Sequence, residues 1–412
     1  MVTEMKVNPE AAGFDADRLA RVEEHLRRRY IAPGKIAGCQ LAIVRHGQLA
    51  HHSVLGMRDL ERAVPVTDDT IWRLYSMTKP ITGVALLSLY EQGLFQLDDP
   101  VHRFIPSFRK MQVVERASDG TKTLVDAKRP ITMRHAMMHT TGIGYGPKGA
   151  QLDMATIGKP GGHGLFGGGA TLESVMDRLA AEPLRFHPGD QWLYSLSTDL
   201  CARLVEVISG QRFDEYLRAT IFEPLGMTST SFHVPETEAN RLAALYTRGP
   251  DKSLVLLDDP AKSAYRREPT FLSGGGGLLG TTADYLRFAQ MLVNRGELDG
   301  VRILSRKTVE LMSANHLPGG RDLAAFASPG GYGETGFAGM GFGLTVAVSQ
   351  GPAESGAAGS RGEFMWGGAA STIFWIDPVE DLAVVFMTQL IPSGTFNFRG
   401  QLKSLVYGAI AD

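Results

Sequence analysis

The stretch RLYSMTKPITGVALLSLYEQG, residues 73–93, places a serine and a lysine three positions apart at the start of an apolar helical segment. Pro80 occupies a first-turn position, an uncharged run follows it, and Gly93 marks the end. Residues i and i+3 lie on one face of a helix, so the Ser76 hydroxyl and the Lys79 amine are expected to meet. A buried helix with this pair at its N-terminus is the feature around which we expect the chain to fold.

The pair is suited to nucleophilic catalysis. A serine hydroxyl is a weak nucleophile until a neighbouring group takes its proton. A lysine can take that proton only if burial or nearby positive charge lowers its pKa. The spacing is not specific by itself, because S-x-x-K occurs again at residues 107–110. That second copy follows a proline and precedes no apolar helix, so we interpret it as a solvated segment without a catalytic role.

The segments on both sides of this helix indicate a mixed α/β fold. Apolar residues recur at helical spacing over residues 15–30, and two apolar runs around a short turn, 36–44 and 49–55, predict a β-hairpin. Strand-like runs return near the C-terminus and precede a helical segment; the runs are 342–348, 364–376 and 382–390, and the helix covers 397–411.

Strand signals are sparse between residues 94 and 270, where Thr171 is suited to cap one helix and Gly210 to end another. We therefore expect an α/β (α+β) chain in which an antiparallel sheet built from both termini is flanked by helices. Residues 1–93 and 271–412 would form this α/β domain, and residues 94–270 an inserted, mainly helical domain.

Two further motifs accompany the serine and lysine. Tyr194-Ser195-Leu196 follows the turn-forming segment FHPGDQW, residues 186–192. Trp366-Gly367-Gly368 lies inside a strand-like run. Two glycines weaken a strand and usually mark the close approach of another group, and a bound substrate is one such group.

With these motifs in this order, the chain resembles the serine β-lactamase/penicillin-binding-protein superfamily in its class C-like branch, and most closely the family VIII carboxylesterases. The resemblance extends over nearly the whole chain and includes LFQLDDPV (94–101), RHAMMHTTGIGY (134–145), FHPGDQWLYS (186–195), EPLGM (223–227) and SGGGGLLGTTADYLRF (273–288). It implies a β-lactamase/DD-peptidase-like fold with the active site at the interface of the two domains.

The resemblance also implies a role for each motif. Ser76 would be the acylated nucleophile, Lys79 the general base, and Tyr194 a proton relay or hydrogen-bond partner of Ser76. The oxyanion hole would consist of the backbone N–H groups of Ser76 and Ala369. Tyr145 is a candidate to line the pocket, because related enzymes place an aromatic residue there.

Two departures from the superfamily pattern bear on the substrate. β-Lactamases and penicillin-binding proteins have a lysine at the position of Trp366, where its charge helps to hold the substrate carboxylate. They also have an asparagine at the position of Leu196. Both replacements favour neutral, apolar acyl substrates, with Trp366, Gly367 and Gly368 lining the substrate site.

The predicted function is a carboxylesterase that hydrolyses short to medium acyl esters through a serine acyl-enzyme, with a small-molecule ester as substrate, no nucleic-acid or membrane partner, and no metal or organic cofactor. An acyltransferase with the same site is the nearest alternative, followed by a weak β-lactamase or D-amino-acid peptidase. A non-catalytic ligand-binding relative is a further alternative, and the intact Ser76, Lys79 and Tyr194 argue against it.

Composition and other patterns exclude several functions. The formal net charge of −2 gives no basic surface for nucleic acid or an anionic membrane. No segment approaches the roughly 20 apolar residues of a membrane span, and residues 1–14 lack the apolar centre of a secretion signal. If the chain is complete at its start, we expect a cytoplasmic protein. The sequence does not predict the oligomeric state.

Three local patterns lack the context that their functions require. G-x-G-x-x-G at residues 275–280 follows no convincing strand, so nucleotide binding is not expected. His135 and His139 are four residues apart, but the catalytic glutamate of a zinc protease is missing between them. The glycine-rich run at 161–169 is either a flap beside the site or a plain flexible loop.

Overall fold

The hairpin predicted near the N-terminus forms two adjacent strands of the main sheet. In the computed structural model, which describes residues 6–116, 118–145, 169–329 and 331–412, β1 (Gly38–Arg45) and β2 (Gln48–Asp59) pair antiparallel. The two turn residues, His46 and Gly47, have φ angles of 52° and 68°. Two consecutive residues with positive φ are characteristic of the turn that matches the twist of a hairpin.

The other strands are two to seven residues long. In chain order they are β3 (Val64–Pro65), β4 (Trp72–Arg73), β5 (Gln112–Arg116), β6 (Lys122–Asp126), β7 (Leu245–Arg248), β8 (Leu254–Asp258), β9 (Leu279–Gly280), β10 (Glu297–Leu298), β11 (Val301–Arg302), β12 (Met340–Phe342), β13 (Ala347–Ser349), β14 (Phe364–Gly367), β15 (Ile373–Asp377), β16 (Leu382–Thr388) and β17 (Leu390–Ile391).

The eight-stranded main sheet joins both ends of the chain. Its order is β12-β13-β14-β15-β16-β1-β2-β3, and every neighbouring pair is antiparallel. β1 pairs with β16 from Cys39 opposite Thr388 to Arg45 opposite Leu382. Every residue of both strands is buried, as expected when both faces of a sheet are covered. The predicted antiparallel sheet built from both termini is confirmed.

Helices pack against the main sheet and against one another. They are α1 (Ala16–Leu26), α2 (Thr78–Glu91), α3 (Met133–Met137), α4 (Leu172–Ala180), α5 (Ser197–Ser209), α6 (Phe213–Leu217), α7 (Glu223–Leu225), α8 (Thr282–Val293), α9 (Arg306–Met312), α10 (Leu323–Phe326), α11 (Pro352–Ser355) and α12 (Phe398–Tyr407). α1 packs against α12, α8 packs against β16, β15 and β1, and α2 packs against α5.

The predicted helix ends agree with the structure. The Thr171 side chain accepts a hydrogen bond from the backbone N–H of Ser174 at the start of α4. Gly210 follows α5 and has a φ of 71°. This left-handed conformation is common at the end of a helix, and glycine adopts it without strain. Within the described residues, no helix combines the length and apolar character needed to cross a lipid bilayer.

Two of the predicted strands are wrong as single elements. Residues 342–348 form the end of β12, a turn, and the start of β13, because Thr345 has a φ of 71° and Gly343 lies against the Met312 carbonyl. A β-carbon at Gly343 would lie 2.2 Å from that oxygen. Similarly, residues 364–376 reverse between β14 and β15, and Gly367 pairs with Ile373.

The segment between residues 94 and 270 contains strands that the sequence did not predict. β5 pairs with β6, and β7 pairs with β8 and with β17 from the C-terminal part of the chain. The glycine-rich run considered as a flap lies outside the described residues, except for Gly169 at its end.

Candidate active site

Ser76 lies at a sharp turn between a strand and a helix. β4 pairs with β9, and the chain then enters the short 3₁₀ turn Tyr75–Met77, which leads directly into α2. Tyr75 has a φ of 45°, an uncommon conformation for a bulky residue. Ser76 is 8% exposed, whereas most residues of α2 are fully buried. The predicted helix is confirmed, but its α-helical part begins after Ser76.

Lys79 is buried directly behind Ser76. Its Nζ atom lies 3.2 Å from Ser76 Oγ and donates a hydrogen bond of 2.6 Å to the carbonyl oxygen of Gly275. It also lies 4.4 Å from the centre of the Tyr194 ring. The Leu196 side chain is buried and apolar.

Burial poises the amine to act as a base. Desolvation lowers the pKa of Lys79 from 10.5 to about 8, against the opposing effect of the negative charges of Asp199 and Glu334. With that pKa, about a tenth of the Lys79 side chains are neutral at pH 7. An ordinary lysine would be almost entirely protonated at this pH.

Tyr194 contacts Ser76 from the other side. Its hydroxyl donates a hydrogen bond of 2.5 Å to Ser76 Oγ, and the Trp366 indole N–H lies 3.3 Å from the same hydroxyl. Burial raises the pKa of Tyr194 well above 10, so the phenol stays protonated. Because Tyr194 donates to Ser76 Oγ, the serine's own proton is free to point at neutral Lys79. This geometry favours Lys79 over Tyr194 as the acceptor of that proton.

The Tyr194 segment is held by two neighbouring chain segments. The N–H of Leu193 donates to the His139 carbonyl at 2.8 Å, and the N–H of Trp192 donates to the Phe326 carbonyl at 3.0 Å. The Trp192 and Tyr194 rings are stacked, with their centres 6.0 Å apart. These contacts fix the direction of the Tyr194 side chain.

His139 packs against the Tyr194 side chain. Its ring centre lies 5.0 Å from that of Tyr194, and its two nitrogens contact the hydroxyls of Ser195 and Thr198 at 3.4 and 3.2 Å. Burial, and then the charge of Lys79, lower the pKa of His139 well below 6.5. His139 is therefore a neutral packing residue. His135 instead helps to cap α3 through Thr132.

The Trp366 segment brings β14 against the chain just before Ser76. Trp366 is fully buried, and its indole contacts Tyr194. A β-carbon at Gly368 would lie 2.3 Å from the Leu74 carbonyl oxygen, so only glycine permits this approach. Ala369 then lies in one apolar cluster with Tyr75. A β-carbon at Gly367 would lie 2.8 Å from a nitrogen of the Arg399 guanidinium group.

Tyr145 and Tyr332 also lie against Tyr194, and Glu334 contacts Tyr332; the sequence analysis missed the last two. The ring of Tyr145 meets that of Tyr194 edge-on at 5.7 Å. The Tyr332 ring centre lies 5.9 Å from that of Tyr194, and its hydroxyl donates to Glu334 at 2.8 Å. Glu334 is 3% exposed, and burial raises its pKa. Neither residue belongs to a recognisable motif.

The second S-x-x-K copy has none of these features. Ser107 and Lys110 are exposed, and Ser107 lies in the isolated 3₁₀ turn Pro106–Arg109. The structure thus separates the two copies by burial, as we expected from the apolar helix that follows only the first.

Comparison with known proteins now identifies the family. The chain matches the Beta-lactamase family over residues 20–404 and therefore belongs to it. Esterase EstB of Burkholderia gladioli is 30% identical over 409 residues, which cover 95% of this chain and 96% of that protein. Protein Rv1367c of Mycobacterium tuberculosis is 32% identical over 363 residues, 87% of each chain.

A solved structure agrees with the whole fold. Unliganded simvastatin synthase (LovD) from Aspergillus terreus has a TM-score of 0.74 and 25% sequence identity, and the match covers 96% of this chain and 98% of that chain. The β-lactamase-like fold predicted from the motifs is confirmed.

Proposed function

We propose that this protein is a carboxylesterase of the family VIII type that hydrolyses short to medium acyl esters through an acyl-enzyme on Ser76. The observation that carries this proposal is the position of Ser76 Oγ, 3.2 Å from a lysine whose pKa burial lowers to about 8 and 2.5 Å from the hydroxyl of Tyr194. The similarity to Esterase EstB supports the ester as substrate.

In the acylation step, neutral Lys79 takes the Ser76 proton while Ser76 Oγ attacks the ester carbonyl carbon. The carbonyl oxygen becomes negatively charged and is stabilised by the N–H groups of Ser76 and Ala369. The tetrahedral intermediate collapses when the bond to the alcohol oxygen breaks. That oxygen leaves with a proton delivered through Tyr194, which Lys79 replenishes.

In the deacylation step, a water molecule attacks the acyl carbon of the ester to Ser76. Its proton passes to Lys79, either directly or through Tyr194, and the same N–H groups stabilise the second oxyanion. Collapse releases the carboxylic acid and returns the proton to Ser76 Oγ. Both steps use the same three side chains, and no cofactor enters the scheme.

The environment of Ser76 favours neutral substrates. Trp366 stands where β-lactamases have a lysine, so no ammonium group is available there for a substrate carboxylate. The side chain of Leu196 is buried and apolar, where those enzymes have an amide. We propose that Tyr145, Gly367 and Gly368 line the site, and that the predicted contribution of Trp366, which is fully buried, comes through its contact with Tyr194.

The catalytic residues come from two parts of the chain. Ser76, Lys79 and Ala369 belong to residues 1–93 and 271–412, whereas Tyr194 belongs to residues 94–270. We propose these ranges as the two domains, with the active site between them. A cytoplasmic location stays a prediction from the sequence.

Replacement of Ser76 by alanine tests the proposal. Wild type and S76A are compared on p-nitrophenyl esters of increasing acyl length, with nitrocefin in the same panel. We expect the wild type to prefer short to medium esters over nitrocefin and S76A to lose ester turnover while it stays folded. Undiminished ester turnover by S76A would refute the nucleophile, and nitrocefin turnover equal to ester turnover would favour a β-lactamase.

Acyl transfer to an alcohol is the second candidate function. It is favoured by the similarity to simvastatin synthase, which extends over nearly both chains. The acyl-enzyme is the same, and only the acceptor that attacks it differs. Product analysis in the presence of competing alcohols distinguishes the two, since a transferase forms new esters faster than free acid.

A further inference from the structure

A buried carboxylate close to the active site has no role in the proposed acylation and deacylation steps. Asp199 lies on α5, five residues after Tyr194, and is 1% exposed. Its Oδ1 atom accepts hydrogen bonds from the Ser273 hydroxyl at 2.6 Å and from the Gly275 N–H at 3.1 Å. Burying a carboxylate costs free energy unless it is paired or hydrogen-bonded. The presence of Asp199 at this buried position therefore calls for a structural or functional reason.

Asp199 belongs to a clamp around the glycine segment 273–275. A β-carbon at Gly275 would lie 2.5 Å from Asp199 Oδ2, and one at Gly274 would lie 2.6 Å from the Ala202 side chain. From the opposite side, the Thr82 hydroxyl of α2 donates to the Gly274 carbonyl at 2.8 Å. The segment is therefore fixed between α5 and α2, and only glycine fits at positions 274 and 275.

The clamped segment presents its carbonyl to the catalytic amine. Gly275 accepts the 2.6 Å hydrogen bond from Lys79 Nζ. Among the residues that the structure describes, the hydrogen bonds of this amine go to Gly275 and Ser76. The bond to the Gly275 carbonyl, at 2.6 Å, is shorter than the 3.2 Å contact with Ser76 Oγ, so we take it as the contact that orients Lys79 towards Ser76.

We propose that Asp199 is a positioning residue for Lys79, because it fixes the Gly275 carbonyl that orients the amine. The inference rests on the proposed role of Lys79 as the general base. Asp199 itself does not touch the substrate or the reacting atoms.

The charge around Lys79 comes from several elements. Asp199 faces it from α5 and Glu334 from the segment before β12, and both raise its pKa against the larger effect of burial. The ring of Tyr194 faces the Lys79 amine. His139, which follows α3 in the chain, is neutral. If Asp199 loses its charge, Glu334 alone opposes desolvation, so the pKa of Lys79 falls further.

Two substitutions separate the geometric effect from the charge effect. Asp199→Asn keeps an oxygen that can accept from Ser273 and Gly275 but removes the charge. Asp199→Ala removes both. Glu206→Gln is the matched control, because Glu206 lies on the same helix and contacts Arg203 and the Phe213 N–H instead.

The readout is the rate at which a fluorophosphonate probe labels Ser76 as a function of pH, with the labelled peptide identified by mass spectrometry. Ser76 Oγ forms a bond to phosphorus, the phosphorus–fluorine bond breaks, Lys79 takes the serine proton, and fluoride leaves. The labelling rate therefore rises with pH as Lys79 loses its proton. Esterase kcat/KM is measured over the same pH range.

For Asp199→Asn, we expect the rising limb of both profiles to move to lower pH. For Asp199→Ala, we expect the plateau rate to fall at least about tenfold, since a misplaced catalytic group typically costs one to two orders of magnitude. Glu206→Gln should change neither the limb nor the plateau by more than about twofold.

An unmoved limb in Asp199→Asn overturns the charge effect, and a plateau of folded Asp199→Ala within about twofold of wild type overturns the positioning role. If Asp199→Ala does not fold, Ser273→Ala removes one side of the clamp and its plateau decides the second point. Labelling on a residue other than Ser76 would instead refute the proposed function.

Discussion

The ester hydrolysis rate should follow the ionisation of Lys79. With the pKa lowered by burial to about 8, the neutral fraction is about one tenth at pH 7, one half at pH 8 and nine tenths at pH 9. In the proposed mechanism the neutral amine accepts the Ser76 proton, so kcat/KM should increase as pH rises. We expect an increase of roughly tenfold between pH 7 and pH 9, with a midpoint near pH 8.

The assay is the initial rate of p-nitrophenyl butyrate hydrolysis, with the S76A variant as the blank at every pH. The value of kcat/KM is suited to this test because it reports the ionisation of the free enzyme. Lys79→Arg is the companion variant, since a guanidinium group stays protonated throughout this range and cannot act as the base. We expect its activity to fall by at least about a thousandfold.

Two results would refute this reasoning. A profile that is flat between pH 6 and pH 9 would mean that Lys79 does not titrate in the free enzyme over this range. A midpoint near 10.5 would mean that the amine is solvated, contrary to its 1% exposure. Substantial activity of Lys79→Arg would assign the base to another group.

Three further substitutions follow from particular contacts. Tyr194→Phe removes the hydroxyl that donates to Ser76 Oγ, and kcat should fall about 10²- to 10³-fold with little change in the fold. Gly368→Ala places a methyl group 2.3 Å from the Leu74 carbonyl oxygen, so both kcat and the melting temperature should fall. Lys403→Met leaves the fully buried Glu363 without its cation, and denaturant unfolding should show a loss of about 3–5 kcal/mol.

Matched controls accompany the last two substitutions. Gly394 has open space where its β-carbon would lie and no positive φ, so Gly394→Ala should leave activity and melting temperature nearly unchanged. Lys307 forms an exposed ion pair with Glu310, and Lys307→Met should cost less than about 1 kcal/mol. Equal effects in variant and control would contradict the packing and burial arguments. Full activity of Tyr194→Phe would exclude its hydroxyl from the proton path.

The main sheet and the meeting of Ser76, Lys79 and Tyr194 could be anticipated from the sequence, because apolar runs and motif order carry that information. The strand predicted over residues 342–348 could not be corrected in this way. Its apolar alternation continues through Thr345, which has a positive φ and whose backbone N–H donates to the carbonyl of the distant residue Met137. Alternation reports which residues are buried, not where the chain reverses.

Local sequence patterns also do not predict the residues that support the site. Asp199 and Gly275 are 76 positions apart, and their hydrogen bond depends on the packing of α5 against the glycine segment. Glu334 approaches the site from a segment with no motif. The sequence indicated His139 only as the second member of the His135/His139 pair. Its contact with Tyr194 results from tertiary packing.

The most direct test is the mass of the enzyme during turnover. Wild-type protein is mixed with a p-nitrophenyl ester, quenched in acid within the first turnovers, and analysed as intact protein and as peptides. We predict a mass increase equal to one acyl group, located on the peptide that contains Ser76 and absent from S76A. An acyl group on another residue, or an equally acylated S76A, would contradict Ser76 as the nucleophile.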